Sequence, residues 1–127
     1  MISLCNLTSK LKNGIRANKK YIYLPSSSLS LELLRLLFLE GIILGVTKIK
    51  SGKTLKVFLK YNSNGSPSFK DIKVLSKPGK MFYLSYKQIA KLSKGVGLFI
   101  ISTKEGLLTN HLCLKRKIGG AALCYLS

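Results

Sequence analysis

The sequence predicts an α+β fold in two small lobes, the first ordered αβαββ and the second mostly β with short helices. Three observations carry this prediction. Apolar residues recur at helical spacing in two early segments, Leu4 to Ile15 and Leu29 onward. Short apolar or alternating runs at Tyr21–Leu24, Thr54–Tyr61, Leu98–Ile101 and Ala121–Leu126 have the length and composition of strands. Between them, Asn62-Ser63-Asn64-Gly65-Ser66-Pro67 gathers turn formers with no apolar residue. That break divides the 127 residues into an N-terminal lobe, 1–64, and a C-terminal lobe, 65–127.

Taken in order, Leu4, Leu7, Leu11 and Ile15 mark the apolar face of a first helix. Its other side carries Asn6, Ser9, Lys10, Lys12, Asn13 and Arg16 without an acid, a donor-rich face suited to phosphate. Gly14 within the pattern weakens the helix by about 1 kcal/mol relative to Ala. The strand Tyr21–Leu24 stops at Pro25, and Ser26-Ser27-Ser28 suit a helix entry, with Glu32 early in the helix to complement its dipole. Gly41 ends that helix. The leucine-rich stretch Leu29–Val46 contains Glu32, Arg35 and Glu40 on one arc of a helical wheel. Charges in a bilayer cost up to about 3.5 kcal/mol each, so the stretch reads as a soluble helix buried on most sides. Val46–Lys50 and Thr54–Tyr61 form a hairpin around Ser51-Gly52, with Leu55, Val57 and Leu59 inward and Lys56, Phe58 and Lys60 outward.

The second lobe opens with a strand over Phe69–Leu75, then the loop Lys77-Pro78-Gly79 and a strand around Met81–Leu84. Ser85 with Gln88 three residues later is a capping-box pattern for a short helix ending before Gly95. The strand Leu98–Ile101 breaks into Ser102-Thr103-Lys104-Glu105-Gly106. An apolar pair, Leu107-Leu108, and a segment ending in Lys115-Arg116-Lys117 follow, and Ala121–Leu126 closes the chain as a strand.

Charge restricts the function. Twenty-two Lys and Arg face four acids, Glu32, Glu40, Asp71 and Glu105, for a net charge of +18. A compact body with that charge repels itself until a polyanion neutralises it. The lysines run from Lys10 to Lys117 within the folded segments, which favours nucleic acid over a tethered membrane anchor. Cys5, Cys113 and Cys124 make no CxxC pair and stand in apolar contexts, so all three are expected in the core of a protein from a reducing compartment. No metal site and no cofactor are expected. Four scattered carboxylates and a single His111, with Lys115 four residues on, offer no acid–base pair or triad, so no enzyme is expected.

The Ser102-Thr103-Lys104 tip has two readings. One is a turn closed by Gly106. The other is RNA readout, in which hydroxyls and backbone amides meet irregular base edges, sugars and phosphates while Lys104 supplies charge. A-form helices hide their major groove, so such a tip would meet a shallow minor groove or a distorted internal loop.

At these residues the sequence resembles the bacterial-type small-subunit ribosomal protein S-eight family. The match lies in Gly97–Leu108, whose Ser-Thr, two variable residues and Gly follow an apolar pair. It extends to Asn13-Gly14, Ala17-Asn18-Lys19 and Pro25-Ser26-Ser27, then to Lys77-Pro78-Gly79 with Tyr83, Gly119-Gly120 and Cys124-Tyr125, in the family's order over essentially the whole chain. The resemblance implies a non-catalytic rRNA-binding protein of the small subunit. Its partners would be the central domain of the small-subunit rRNA and neighbouring small-subunit proteins, with no membrane and no small-molecule substrate. It implies RNA contacts at Ser102, Thr103, Lys104, Gly106, Tyr83, Lys77, Gly119 and Gly120 in the C-terminal lobe. In the N-terminal lobe the corresponding residues are Lys12, Asn13, Arg16, Asn18, Lys19, Ser26 and Ser27. The glycines would permit a tight backbone that RNA can approach.

Ala121 replaces an acid that commonly follows the Gly-Gly pair, and Cys113 replaces a small Ala or Gly, as a packing adjustment. Abundant Lys, Asn, Ile, Tyr, Leu and Ser with few Ala suit an AT-rich genome. With no N-terminal targeting segment read, an organelle-encoded mitochondrial protein is expected, a plastid or an AT-rich bacterium being the alternatives. A second functional reading is an RNA-binding repressor acting on a messenger RNA that mimics the rRNA loop.

Overall fold

The computed structural model describes residues 4–77, 79–95 and 97–127. Pro78 and Val96, which fall in expected loop and glycine-flanked segments, lie outside the described residues. The chain divides into two compact units, residues 1–70 and 71–127. Among the described residues there are four helices and two antiparallel sheets, so the class is α+β as expected.

The first unit runs α1 (Leu4–Arg16), β1 (Tyr21–Pro25), α2 (Ser28–Leu39), β2 (Ile43–Ile49) and β3 (Thr54–Leu59). Its sheet has the order β1-β3-β2, with Tyr21 opposite Phe58 and Val46 opposite Val57. Strand alternation turns Ile22, Leu24, Leu55, Val57 and Leu59 to the buried face. Leu7, Leu11 and Ile15 of α1 and Leu33, Leu34, Leu36 and Leu37 of α2 supply the rest of this core. Each such side chain is worth about 1.5–3 kcal/mol when fully buried. Gly14 is where α1 meets the sheet. A Cβ there would lie 2.6 Å from Ile22 Cγ2 and 3.1 Å from Leu59 Cδ1. The glycine that weakens the helix locally is therefore the one that lets it pack.

Three expectations need correction here. Cys5 is exposed rather than core, because the buried stripe of α1 passes through Leu7, Leu11 and Ile15 on the helix's other side. The helix α2 is less enclosed than its leucine content suggests: Leu31, Phe38 and Leu39 are exposed, and so is Leu44 on β2. Glu32 also lies beyond the first turn of α2, so it does not sit at the helix start. No helix among the described residues is long and apolar enough to cross a membrane.

The division between units falls after Lys70, three residues beyond the end of the turn-rich break at Pro67. The reason is that this loop closes back on the first unit. Tyr61 bridges Pro67, Asn62 N donates to Ser66 O at 2.7 Å, and Ser68 Oγ donates to Ile42 O at 2.7 Å.

The second unit runs β4 (Ile72–Val74), β5 (Tyr83–Leu84), α3 (Tyr86–Leu92), β6 (Leu98–Thr103), β7 (Gly106–Thr109), α4 (Asn110–Arg116) and β8 (Gly120–Leu126). β8 is central. It pairs with β6 along one edge, and on the other edge with β5 at Gly120 and Ala121 and with β4 at Cys124 to Leu126. Leu84, Ile89, Ile101, Leu108, Cys113 and Ala122 form the core, so Cys113 is the packing residue it was expected to be. The strand expected over Phe69–Leu75 shrinks to three residues, and Phe69 is buried without joining it. Of Met81–Leu84 only the last two residues form the strand, and Met81 and Phe82 are exposed.

After Leu107-Leu108 the chain forms a helix that periodicity had not revealed. Its N-terminus is capped by Thr109 Oγ1, which accepts from Leu112 N at 3.3 Å.

Candidate nucleic-acid interface

Candidate residues gather at one end of the second sheet. Ser102 on β6 lies opposite Ala121 on β8, which in turn lies opposite Tyr83 on β5, so one row runs Tyr83–Ala121–Ser102–Leu107. Tyr83 is 72% exposed. Beyond this row β6 and β7 close through Lys104-Glu105, with Thr103 opposite Gly106. Gly106 has φ +101°, a conformation that favours glycine at the corner of the hairpin. Lys104 and Glu105 are exposed at the tip and, with Ile118 and Gly119, line a cleft of about 320 Å³.

Thr103 holds this tip together. Its hydroxyl donates to Gly106 O at 2.9 Å and accepts from Glu105 N at 3.1 Å, leaving one lone pair for an outside donor. Ser102 is half-buried beside it. Arg116 Nη1 lies 2.7 Å from Glu105 Oε1, so the acid at the tip is offset by a neighbouring guanidinium. Both partners are about half exposed, where such pairs contribute roughly 0–1 kcal/mol to stability.

Gly119 and Gly120 admit the chain's own backbone. A Cβ on Gly119 would lie 2.5 Å from Leu84 O, and one on Gly120 would overlap Ser102 O. These glycines let β8 press against β5 and β6, which brings Tyr83 and Ser102 to either side of Ala121.

Lys77 sits in the β4–β5 loop, where it pairs with Lys80: Lys77 N donates to Lys80 O at 3.0 Å. Ser76 fastens this loop to β8. Its hydroxyl donates to Ala122 O at 2.6 Å and accepts from Phe82 N at 2.9 Å, while Ala122 N donates to Phe82 O at 2.8 Å. Lys80, Met81, Phe82 and Arg116 were missed as site candidates, although an exposed Met-Phe-Tyr run beside a basic loop was a readable signal.

In the first unit Lys10, Asn13, Lys19, Lys20, Tyr21 and Tyr23 line a cleft of about 720 Å³ between α1 and β1. It unites the predicted Asn13 and Lys19, and Lys10 of the donor-rich face, with Lys20, Tyr21 and Tyr23, which were not predicted. Asn18, with φ +55°, turns the chain out of α1, as Lys19 N donates to Gly14 O at 3.0 Å. Arg16 is exposed and Lys12 half-buried on the acid-free side of α1. Ser26 and Ser27 stand apart from this cleft. Ser27 caps α2, its Oγ accepting from Ser30 N at 3.1 Å and lying 2.8 Å from Ser30 Oγ. His111 is exposed on α4, and among the described residues no His, Cys, Asp or Glu cluster could hold a metal.

A family model described as ribosomal protein S8 matches residues 3–126. The chain belongs to this ribosomal protein family. Similar proteins include the small ribosomal subunit protein uS8 of Bacteroides fragilis, 36% identical over 126 residues, covering 97% of this chain and 96% of the relative. The protein of the same name from Bifidobacterium adolescentis is 35% identical over 125 residues, covering 97% and 95%. That of Mycoplasmoides gallisepticum is 35% identical over 127 residues, covering 97% and 96%. This chain is therefore a small-subunit ribosomal protein, from a family of ribosome constituents rather than enzymes.

Proposed function

We propose that this ribosomal protein binds the central domain of the small-subunit rRNA early in assembly, beside neighbouring small-subunit proteins. The observation that carries the reading is the convergence of Tyr83, Ser102, Lys104 and the Gly119-Gly120 backbone at one end of the second sheet. Hydroxyls, a phenol and half-buried backbone on a strand end can follow an irregular base and sugar surface, which a purely electrostatic patch cannot. Ser102 would contact the RNA directly, and Thr103 would hold the hairpin corner while offering its remaining lone pair. The basic cleft of the first unit would supply a second, charge-dominated contact.

The test compares binding to a central-domain rRNA hairpin and to a length-matched regular duplex across a salt series. Hairpin binding should persist at salt that strips the duplex. Ser102→Ala should weaken the hairpin selectively, Thr103→Ala should do the same by loosening the corner, and Thr103→Ser should restore it. Equal, steeply salt-dependent binding to both RNAs would reduce the protein to a general polyanion binder and sink the reading.

Composition supports an organellar, mitochondrial source, since Lys-, Asn- and Ile-rich usage with few Ala suits an AT-rich genome. Mapping the coding gene to a bacterial chromosome would overturn that part.

A further inference from the structure

The outward face of the first sheet carries a set of rings that the basic cleft takes in only in part. Alternation turns Tyr21 and Tyr23 of β1 and Lys56 and Phe58 of β3 away from the core, and the register places Tyr21 opposite Phe58 and Tyr23 opposite Lys56. Tyr21 meets Tyr23 edge-on at 5.5 Å between centroids and Phe58 at 6.4 Å. Lys56 Nζ stands 4.1 Å from the Tyr21 ring centre and 5.3 Å from that of Phe58. On the far side of Phe58, its β2 partner is Gly45, where even an added Cβ would meet nothing within 4 Å. Tyr21 and Tyr23 are 42% and 48% exposed, a high value for rings on a short strand. Both also line the basic cleft with Lys10, Lys19 and Lys20.

We infer that this face is a stacking platform for an unpaired RNA nucleotide, its base against the rings and its phosphates on Lys56 and the lysines of the adjoining cleft. The inference rests on the RNA-binding reading and adds to its tip and its basic cleft a contact of another kind, base stacking. Charge selects the class of occupant. No acid lies on β1 or β3, both acids of this unit lie outside them at Glu32 and Glu40, and the chain carries +18. Such a face attracts a polyanion. The rings then select among polyanions. A regular duplex keeps its base faces stacked inside, whereas an unpaired base offers a π-face that aromatic side chains take with little regard to sequence. Lys56, whose ammonium stands over the Tyr21 and Phe58 rings, would swing off them to follow the phosphate and leave the ring faces to the base.

The experiment uses the full chain and a short single-stranded oligoadenylate carrying 2-aminopurine, beside a duplex of the same length and the central-domain hairpin. Wild type should quench the 2-aminopurine emission. Tyr23→Leu and Phe58→Leu should each weaken oligoadenylate binding about tenfold while duplex binding stays unchanged. Tyr23→Phe, which keeps the ring, should bind as wild type. Absent quenching, or oligoadenylate affinity that is the same in all ring variants, overturns the platform. That result would leave the face to a protein neighbour. The hairpin arm judges the rRNA reading separately: failure of wild type to prefer the hairpin overturns that reading, while ring-independent oligoadenylate binding overturns only the platform.

Discussion

Replacing Gly14 with Ala sets two effects of one methyl group against each other. Helix propensity favours Ala by about 1 kcal/mol. Against it, the new Cβ would lie 2.6 Å from Ile22 Cγ2, and Ile22 and Leu59 are both core side chains. Overpacking of this kind costs about 1–3 kcal/mol. Packing should win, so Gly14→Ala is expected to lower the melting temperature by a few degrees, and an increase would show that α1 can lift off the sheet freely. The cysteines give a second residue-scale expectation. Burial pushes the Cys124 thiol from 9.0 up to about 12, and burial also raises Cys113, partly opposed by Arg116, whereas Cys5 is exposed. A maleimide at mild pH should label Cys5 alone in the folded protein. Above about 9 the unfolded chain releases the Cys124 proton that the fold retains, so the unfolded state binds fewer protons and stability falls as pH rises toward about 12. A stability profile flat across that window would contradict the buried thiol.

At the scale of elements, the α3 and β6–α4 segments are tied by one buried amide. Asn110 Oδ1 accepts from Phe99 N at 3.2 Å, Asn110 Nδ2 donates to Ser93 Oγ at 2.9 Å, and Ser93 Oγ donates to Ile89 O at 2.7 Å. Asn110 is 1% exposed, so losing its side chain leaves the Phe99 amide without that partner. Asn110→Ala should cost about 1–3 kcal/mol in denaturant unfolding. A loss no larger than that of an exposed-site control would remove the amide from this role. Legibility at this scale follows the range of the interaction. The Ser85–Gln88 capping box was readable because its partners are three residues apart, and both of its bonds are present. The Asn110 link was not, since its partners lie 11 and 17 residues away. The helix α4 escaped notice for a related reason: its seven residues bury only Asn110 and Cys113, too few to set a period.

For the whole molecule, the charge of +18 sets how binding responds to salt. Each phosphate neutralised contributes about −0.7 to −0.9 to the slope of log affinity against log salt, from single strands to duplex. Lys12→Ala and Arg16→Ala should therefore weaken binding to every RNA and reduce the slope by about one unit each, if each meets one phosphate. Ser102→Ala should leave the slope unchanged while lowering hairpin affinity. If all three variants lost affinity equally on cognate and random RNA, the division between specific tip and electrostatic body would fail.

The sequence by itself determined the α+β class, the αβαββ order of the first unit, the basic character and, through an ordered set of local motifs, the family. These follow from periodicity, turn chemistry and net charge, which are written within a few residues or in the composition. Tertiary structure decided which residues share a surface. It brought Tyr83, Ala121 and Ser102 into one row from three strands, and gave Gly119 and Gly120 the task of admitting neighbouring backbone. It also set Tyr21 and Tyr23 beside the Lys56 and Phe58 that alternation alone turns outward, and moved Cys5 out of the core. Alternation and turn chemistry record which face a residue takes and bear on register within a hairpin, but which distant strands become neighbours is decided only by their pairing in the fold.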